Sequence, residues 1–237
     1  MDNIRTVSDT KREFYNFFTR PISSIYRRFI EELLVEMHLL SVNADYQYNP
    51  IYALGVVTLF KKFMYGYQPD DHQDLIFDAL CKSTGGDTKR YLEESDTILH
   101  EAEMLSVSDF KGNIVRLSQE EINEKLLWKS YYSIAENSKF KYSRLLAIGL
   151  YSLLEKISSD LVESKEEYNK AINQIANDLK LSSEKIQKDL EVYCGNLEKM
   201  QQLLTAIEDS LEFDRKKRIS QKEENVLETS DDELKKE

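Results

Sequence analysis

Apolar residues recur at alternating intervals of four and three along residues 186–211 of this chain. The series consists of Ile186, Leu190, Tyr193, Leu197, Met200, Leu204, Ile207 and Leu211. This spacing puts all of these side chains on one stripe of an α-helix, and it is typical of a helix that packs along its length against another. A shorter series, spaced in the same way, runs over 168–179, and the changed spacing between the two predicts a turn near Ser182.

Residues that interrupt helices are rare in the rest of the chain. There are only 7 Gly and 3 Pro among 237 residues. Long helices need few of either, whereas a many-stranded β-sandwich needs turns that use them. We therefore predict an all-α fold, a multi-helix globular bundle with a long C-terminal coiled-coil-like helix.

Capping signals predict where the other helices begin. They are the T-x-x-E and S-x-x-E capping boxes at Thr10–Glu13 and Ser118–Glu121, Asn49 before Pro50, and Asp87. The Gly85-Gly86 pair is a stop signal, since glycine tolerates a left-handed backbone. The expected helices cover 11–18, 22–42, 50–65, 70–82, 88–104, 119–136 and 139–157, with a loop over 105–117.

The helix expected over 22–42 is apolar on two sides. Its first stripe includes Tyr26, Phe29, Ile30, Leu33, Met37 and Leu40, while the opposite side carries Val35, Leu39 and Val42. A helix with two apolar sides is usually buried on both, so we expect this helix to be central.

Two of the expected helices contain segments of similar sequence. The segment 53–63, ALGVVTLFKKF, matches 147–157, AIGLYSLLEKI, in residue type at most positions. A glycine inside a helix lowers stability unless another backbone approaches it closely. We therefore predict that these two helices cross neighbours at Gly55 and Gly149.

The pattern suggests three segments. A helical core domain covers 7–158. The C-terminal helices cover 159–218 and contain the 4-3 series of apolar residues described above, which we call the heptad seam. They either pack on the core or project from it. Residues 219–237 are charged and nearly free of apolar periodicity, which predicts a disordered tail.

Composition excludes several kinds of function. The net charge is -11, which disfavours nucleic acid and anionic lipid as partners. No catalytic triad, dinucleotide fingerprint or phosphate loop occurs, so we expect no enzyme activity and no cofactor. Asp96, His100 and Glu103 could share a metal ion, but a solvated acidic face is the simpler interpretation.

The N-terminus has no signal or transit peptide pattern, and apolar runs of about ten residues fall short of the ~20 that a membrane span needs.

A basic, aromatic stretch near the N-terminus contrasts with this acidity. The segment 19–29 reads TRPISSIYRRF and contains Arg20, Arg27 and Arg28. Helical spacing directs its aromatic residues to the core, and the last two arginines can pair with Glu31 and Glu32 at i,i+4. The arginines are therefore either a partner-binding corner or members of internal ion pairs.

Six segments resemble the thylakoid-formation protein family of cyanobacteria and chloroplasts. They are VSDTKREFY (7–15), TRPISSIYRRFIEELLVEMHLLSVN (19–43), ALGVVTLF (53–60), FMYGYQP (63–69), FKYSRLLAIGLYSLLE (140–155), and KDLEVYCGNLEKM with DRKKR (188–200 and 214–218). The resemblance extends over about 7–218 and is absent from about 82–135 and beyond 219.

This resemblance implies an all-helical, non-enzymatic accessory protein without cofactors. It implies that FtsH protease subunits are the partners and that the role is in photosystem II repair. The expected location is the cyanobacterial cytoplasm or plastid stroma, peripheral to the thylakoid membrane, and we expect a monomer. The alternative is a structural protein that associates with itself or organises the membrane in thylakoid formation through its C-terminal helix.

Overall fold

The computed structural model describes residues 5–106, 110, 118–160 and 164–234, and the regular structure of this part of the chain is entirely helical. The all-α prediction is therefore confirmed. The helices are α1 (Val7–Phe17), α2 (Ser24–Ser41), α3 (Pro50–Phe63), α4 (Asp71–Ser83), α5 (Thr88–Glu103), α6 (Gln119–Glu124), α7 (Leu126–Glu136), α8 (Arg144–Ile157), α9 (Lys165–Asp178) and α10 (Ser183–Leu234).

Helices α3 and α8 form the centre of the fold and pack closely against each other. A β carbon on Gly55 of α3 would overlap the carbonyl oxygen of Leu145 in α8. Reciprocally, a β carbon on Gly149 of α8 would overlap the carbonyl oxygen of Ile51 in α3. The two glycines therefore lie where the backbones of these helices cross, and each helix is buried over most of its length.

The other helices surround this pair. Helices α5 and α7 pack on α3, and α5 also contacts α8, while α1 contacts α2 and α4. The caps of α3 and α5 are confirmed, since the side chain of Asn49 accepts from the amide of Ile51 and that of Asp87 accepts from the amides at 89 and 90. Gly85 ends α4 with a φ of 77°, as the stop signal predicted.

Three predicted boundaries were wrong. Helix α1 begins at Val7, because the capping box is formed by Thr6 and Asp9 rather than by Thr10 and Glu13. The last predicted helix of the core begins at Arg144 instead of 139, since the side chain of Ser143 caps it.

The third difference is a break in the helix predicted over 119–136. The capping box at Ser118 starts α6 as predicted, but Lys125 is extended, with φ -116° and ψ 132°, and α7 begins after it. Glu101 of α5 caps α7 by accepting hydrogen bonds from the amides of Leu126 and Leu127, at 3.0 and 2.7 Å. Of the loop predicted over 105–117, most lies outside the described residues, but Phe110 is helical and buried.

Helix α2 is buried on one side only, which corrects its predicted central position. Tyr26, Ile30, Leu33, Leu34 and Met37 are buried. On the opposite side, Leu39 is 58% exposed and Val42 is 39% exposed. The second apolar side of α2 therefore faces outward.

The chain forms two units, one ending at Cys194 and one beginning at Gly195. Helix α10 starts in the first unit, where Ile186, Leu190 and Tyr193 are buried. In the second unit the seam residues 197, 200, 204 and 207 are half-buried. Helix α10 continues through 219–234, where composition predicted disorder, and 235–237 lie outside the described residues.

Candidate functional site

Two of the predicted arginines, Arg27 and Arg28, line an open groove of about 730 Å³ beside the first half of α2. Four cationic side chains surround it: Lys11, Arg27, Arg28 and Arg144. The other lining residues are Ser24, Glu31, Glu32 and Val35. Lys11, Arg28 and Arg144 form ion pairs with Glu31, Glu32 and Glu36, so the groove carries an excess of one positive charge, that of Arg27, on an acidic chain.

The first turns of α2 fix the direction of these arginines. Tyr26 is buried, its hydroxyl donates to the carbonyl oxygen of Tyr65 at 3.2 Å, and its ring lies edge-on to that of Tyr67 at 5.0 Å. Because successive residues of a helix are about 100° apart, burying Tyr26 and Ile30 turns Arg27 and Arg28 towards solvent.

Glu31 is neutralised by residues of α1. Lys11 Nζ donates to it at 2.7 Å and the hydroxyl of Tyr15 donates at 2.9 Å. The hydrogen bond from Lys11 lowers the pKa of Glu31, whereas burial, followed by contact with Glu31, raises the pKa of Tyr15 to about 12. The expected pairing of Glu31 with Arg27 was therefore wrong, because α1 supplies its partners.

The two neighbouring arginines differ in their partners. Arg28 Nε lies 3.0 Å from Glu32 Oε1, as the i,i+4 spacing predicted, and the Arg28 side chain is 85% exposed. An exposed pair of this kind contributes only about 0.3–0.5 kcal/mol. Arg27 makes no ion pair with any side chain among the described residues, although its charge contributes to lowering the pKa of Glu31. Its guanidinium can therefore donate to a partner.

Arg144 connects the groove to α8. Its Nη2 atom lies 2.6 Å from Glu36 Oε2. Burial raises the pKa of Glu36, and the charge of Arg144 opposes that effect. Sequence reasoning missed Lys11 and Arg144, since both reach the groove from other helices and nothing in the spacing along α2 points to them.

Arg20 lies apart from the groove. It precedes α2, which begins only at Ser24, and its Nη1 atom lies 3.8 Å from Asp71 Oδ2 at the start of α4. The structure therefore brings Arg27 and Arg28 together with Lys11 and Arg144, but not with Arg20.

Among the described residues, no helix is long and apolar enough to cross a membrane. Within the same residues, no three His, Cys, Asp or Glu side chains are grouped so as to hold a metal ion. Glu103 lies 3.5 Å from His100, as the sequence suggested, and also forms an ion pair with Lys156 at 2.5 Å.

Comparison with known proteins gives one consistent result. The family model described as thylakoid formation protein matches residues 6–222. Protein Thf1 of Crocosphaera subtropica is 56% identical over 222 residues, which cover 94% of this chain and 90% of that protein. Protein Thf1 of Rippkaea orientalis is 54% identical over 226 residues, covering 94% and 95% respectively.

A solved structure has the same fold. The structure of Psb29 at 1.55 Å is 41% identical, with a TM-score of 0.77, and the match covers 90% of this chain and 98% of that one. A family model that spans nearly the whole chain, together with relatives of this identity, establishes the relationship. The chain belongs to the thylakoid formation protein family.

Proposed function

We propose that this chain is a non-enzymatic accessory protein that binds FtsH protease subunits. By supporting the accumulation or activity of these thylakoid proteases, it acts in photosystem II repair and biogenesis. The observation that carries the proposal is the groove of four cations, in which Arg27 has no ion pair among the described residues. A basic surface on a chain of net charge -11 suits an acidic segment of a partner.

The place of action follows from the partner. The FtsH proteases implied by the family resemblance are membrane-bound, so this chain would work at the thylakoid surface. We assign it to the cyanobacterial cytoplasm or the plastid stroma, peripheral to the thylakoid membrane.

Affinity capture with charge-reversal variants tests this function. The tagged full-length chain is mixed with cyanobacterial thylakoid extract, and FtsH subunits in the bound fraction are quantified by mass spectrometry. We expect the wild type to recover them and the double variant Arg27→Glu, Arg28→Glu to recover about tenfold less, as for loss of an interface hot spot. If the wild type recovers no FtsH from intact complexes, the proposed function is wrong.

A matched control separates the groove from general electrostatics. Lys89→Glu, Lys170→Glu makes the same change of net charge at exposed lysines that also form i,i+4 ion pairs on other helices. This control should recover as much FtsH as the wild type. If the arginine variant folds and equals the control, the two arginines do not contribute to FtsH binding.

A second candidate function is self-association in thylakoid formation. It is favoured by the half-buried seam residues Leu197, Met200, Leu204 and Ile207, whose 4-3 spacing suits pairing with another helix. Light scattering over a range of concentrations tests it. A dimer that Leu204→Glu, Ile207→Glu converts to a monomer would support this function, and a concentration-independent monomer would exclude it.

A further inference from the structure

The outward side of α2 carries a second helix-pairing pattern. Arg28, Glu32, Val35, Leu39 and Val42 are spaced 4-3-4-3. We call these five residues the outer stripe. They lie within a narrow arc of the helix, on the side opposite the buried Ile30, Leu33 and Met37. The outer stripe therefore has the same 4-3 spacing as the residues through which coiled-coil helices contact each other, but it faces solvent.

The outer stripe has two chemically different ends. Its first residues border the basic groove, and Val35 lines that groove as well. Its last residues are apolar and open, with Leu39 58% and Val42 39% exposed. Arg27 lies beside the charged end and forms no ion pair with residues 5–106, 110, 118–160 or 164–213. An exposed apolar row that continues into a charged groove is typical of a binding surface.

We propose that the outer stripe and the groove bind one amphipathic α-helix of a partner protein, with acidic residues at one end of that helix. The 4-3-4-3 spacing of the outer stripe indicates that the bound element is a helix, because an amphipathic helix carries its apolar residues at the same intervals of four and three. Lys11, Arg28 and Arg144 already pair with carboxylates of this chain, so the remaining groove cation, Arg27, favours acidic residues in the bound helix. This inference rests on the proposed function, since it describes the surface through which the accessory protein engages its protease.

The length of the outer stripe defines the length of the bound helix. From Arg28 to Val42 the rise is about 21 Å at 1.5 Å per residue. The partner helix therefore needs about four turns. Its apolar a and d positions would contact Val35, Leu39 and Val42, and its carboxylates would reach Arg27.

Site-specific photo-crosslinking in the full-length chain tests this proposal. A photoreactive amino acid replaces Leu39, the chain is mixed with thylakoid extract, and the crosslinked peptide is identified by mass spectrometry. The matched control places the same group at Leu75 of α4, which is 46% exposed. We expect a crosslink from position 39, at least tenfold above that from position 75, to an FtsH segment that is amphipathic, helical and acidic at one end.

A second measurement uses variants. Leu39→Glu, Val42→Glu should lower the recovery of FtsH about tenfold, as for an interface hot spot, whereas Leu75→Glu, Met104→Glu, which changes two other exposed apolar residues, should leave it unchanged. Circular dichroism checks that each variant is folded. If the charged variants lose their fold, the crosslink from position 39, made without adding charge, still decides.

The outcomes separate this inference from the proposed function. If the wild type recovers FtsH but position 39 crosslinks no better than position 75, the inference is wrong and the proposed function stands. A crosslink to a second copy of this chain or to lipid also overturns the inference. If no FtsH is recovered, but position 39 crosslinks an identified acidic amphipathic helix of another protein and Arg27→Glu, Arg28→Glu abolishes the crosslink, the surface is supported and the protease is not its partner.

Discussion

Gly55 and Gly149 lie against each other's helix backbones at the crossing of α3 and α8. A β carbon on Gly55 would lie 2.9 Å from the amide nitrogen of Gly149 and would overlap the carbonyl oxygen of Leu145. Around this crossing, Ser152 Oγ lies 3.2 Å from Thr58 Oγ1, and Lys62 pairs with Glu155 at 2.8 Å. The absence of two β carbons therefore sets how closely the central helices approach.

We expect Gly55→Ala to destabilise the protein strongly. The added methyl would meet backbone atoms, the carbonyl carbon of Leu145 being only 2.7 Å away, and backbone cannot move aside as a flexible side chain can. The free energy of unfolding should fall by about 3 kcal/mol or more, at the upper end for overpacked cores. Chemical denaturation monitored by circular dichroism measures this change.

Gly195→Ala is the matched control for this prediction. Gly195 lies inside α10, and a β carbon there would meet nothing within 4 Å. Alanine should therefore stabilise that helix by about 0.5–1 kcal/mol through its higher helix propensity. Equal effects of the two substitutions would show that packing at the crossing is not what requires Gly55.

Glu101 is predicted to hold the start of α7. Its two carboxylate oxygens accept from the amides of Leu126 and Leu127, which otherwise have no partner at a helix start. Glu101→Ala should lower the free energy of unfolding by about 1–2 kcal/mol, as for loss of a cap. Glu93→Gln, on the same helix and in an exposed ion pair with Lys89, should change it by less than about 0.5 kcal/mol. A loss no larger for Glu101→Ala would contradict the capping role.

The contrast between Asn49 and Glu101 shows how far sequence reasoning reaches. Asn49 caps an amide two residues away, so the local pattern is sufficient to predict it. Glu101 caps amides 25 and 26 residues away, and no local pattern can reveal such a partner. The break at Lys125 was missed for this reason, while the all-α class was predicted because it depends on periodicity and on few helix breakers.

The same division applies to the candidate site. The pair Arg28–Glu32 is local and was predicted from i,i+4 spacing. Lys11 reaches Glu31 across 20 residues and Arg144 reaches Glu36 across 108. Periodicity also showed that α2 has two apolar sides, but not that one of them is exposed, because burial depends on which helices pack nearby.

Asn49 should contribute more to stability than an ordinary cap. Its side chain accepts from the amide of Ile51 at 2.8 Å and donates to Ser130 O and Ser133 Oγ at 2.9 and 3.0 Å. Asn49→Ala would remove all three hydrogen bonds and leave the Ile51 amide without its cap, whereas Ser130 O and Ser133 Oγ keep the bond that they make with each other. We expect a loss of about 2–3 kcal/mol in thermal or chemical unfolding. Asn43→Ala removes one exposed bond to the amide of Asp45 and should cost about 0.5 kcal/mol; similar losses would contradict the prediction.

The stability of the protein should fall on acidification because of His38. This residue is buried, and its Nδ1 atom lies 2.8 Å from Thr10 Oγ1. Burial lowers the pKa of His38 from its ordinary value of 6.5, and Arg5 acts in the same direction while Asp9 opposes it. The native chain therefore binds this proton less readily than the unfolded chain. The stabilisation is fully present above 6.5 and is lost as the pH falls through the lowered native value.

Paired denaturation curves of the wild type and His38→Gln check this pH dependence. All other titrating groups are common to both, so the difference between their free energies of unfolding isolates His38. We expect the advantage of the wild type to shrink as the pH is lowered from about 7.5 to about 5, through the ordinary histidine range. An advantage that is constant or grows on acidification would contradict the assignment.

Tyr193 and Val192 should differ sharply although they are neighbours in α10. The Tyr193 ring is 3% exposed and lies 5.8 Å from the ring of Tyr151 and 6.3 Å from that of Phe63, whereas Val192 is 46% exposed. Tyr193→Ala should therefore lower the free energy of unfolding by about 3–5 kcal/mol, as for other buried aromatic residues. Val192→Ala should change it by less than about 0.5 kcal/mol.

Leu204→Ala extends this comparison along the seam. In sequence, Tyr193 and Leu204 both belong to the 4-3 series of apolar residues, but Leu204 lies in the second unit and is half-buried. If burial rather than heptad position determines stability, Leu204→Ala should cost clearly less than Tyr193→Ala in denaturation of the dilute chain. Equal costs would mean that the seam is packed along its whole length in solution. A cost at Leu204 that rises with protein concentration would identify a helix of another copy as its partner.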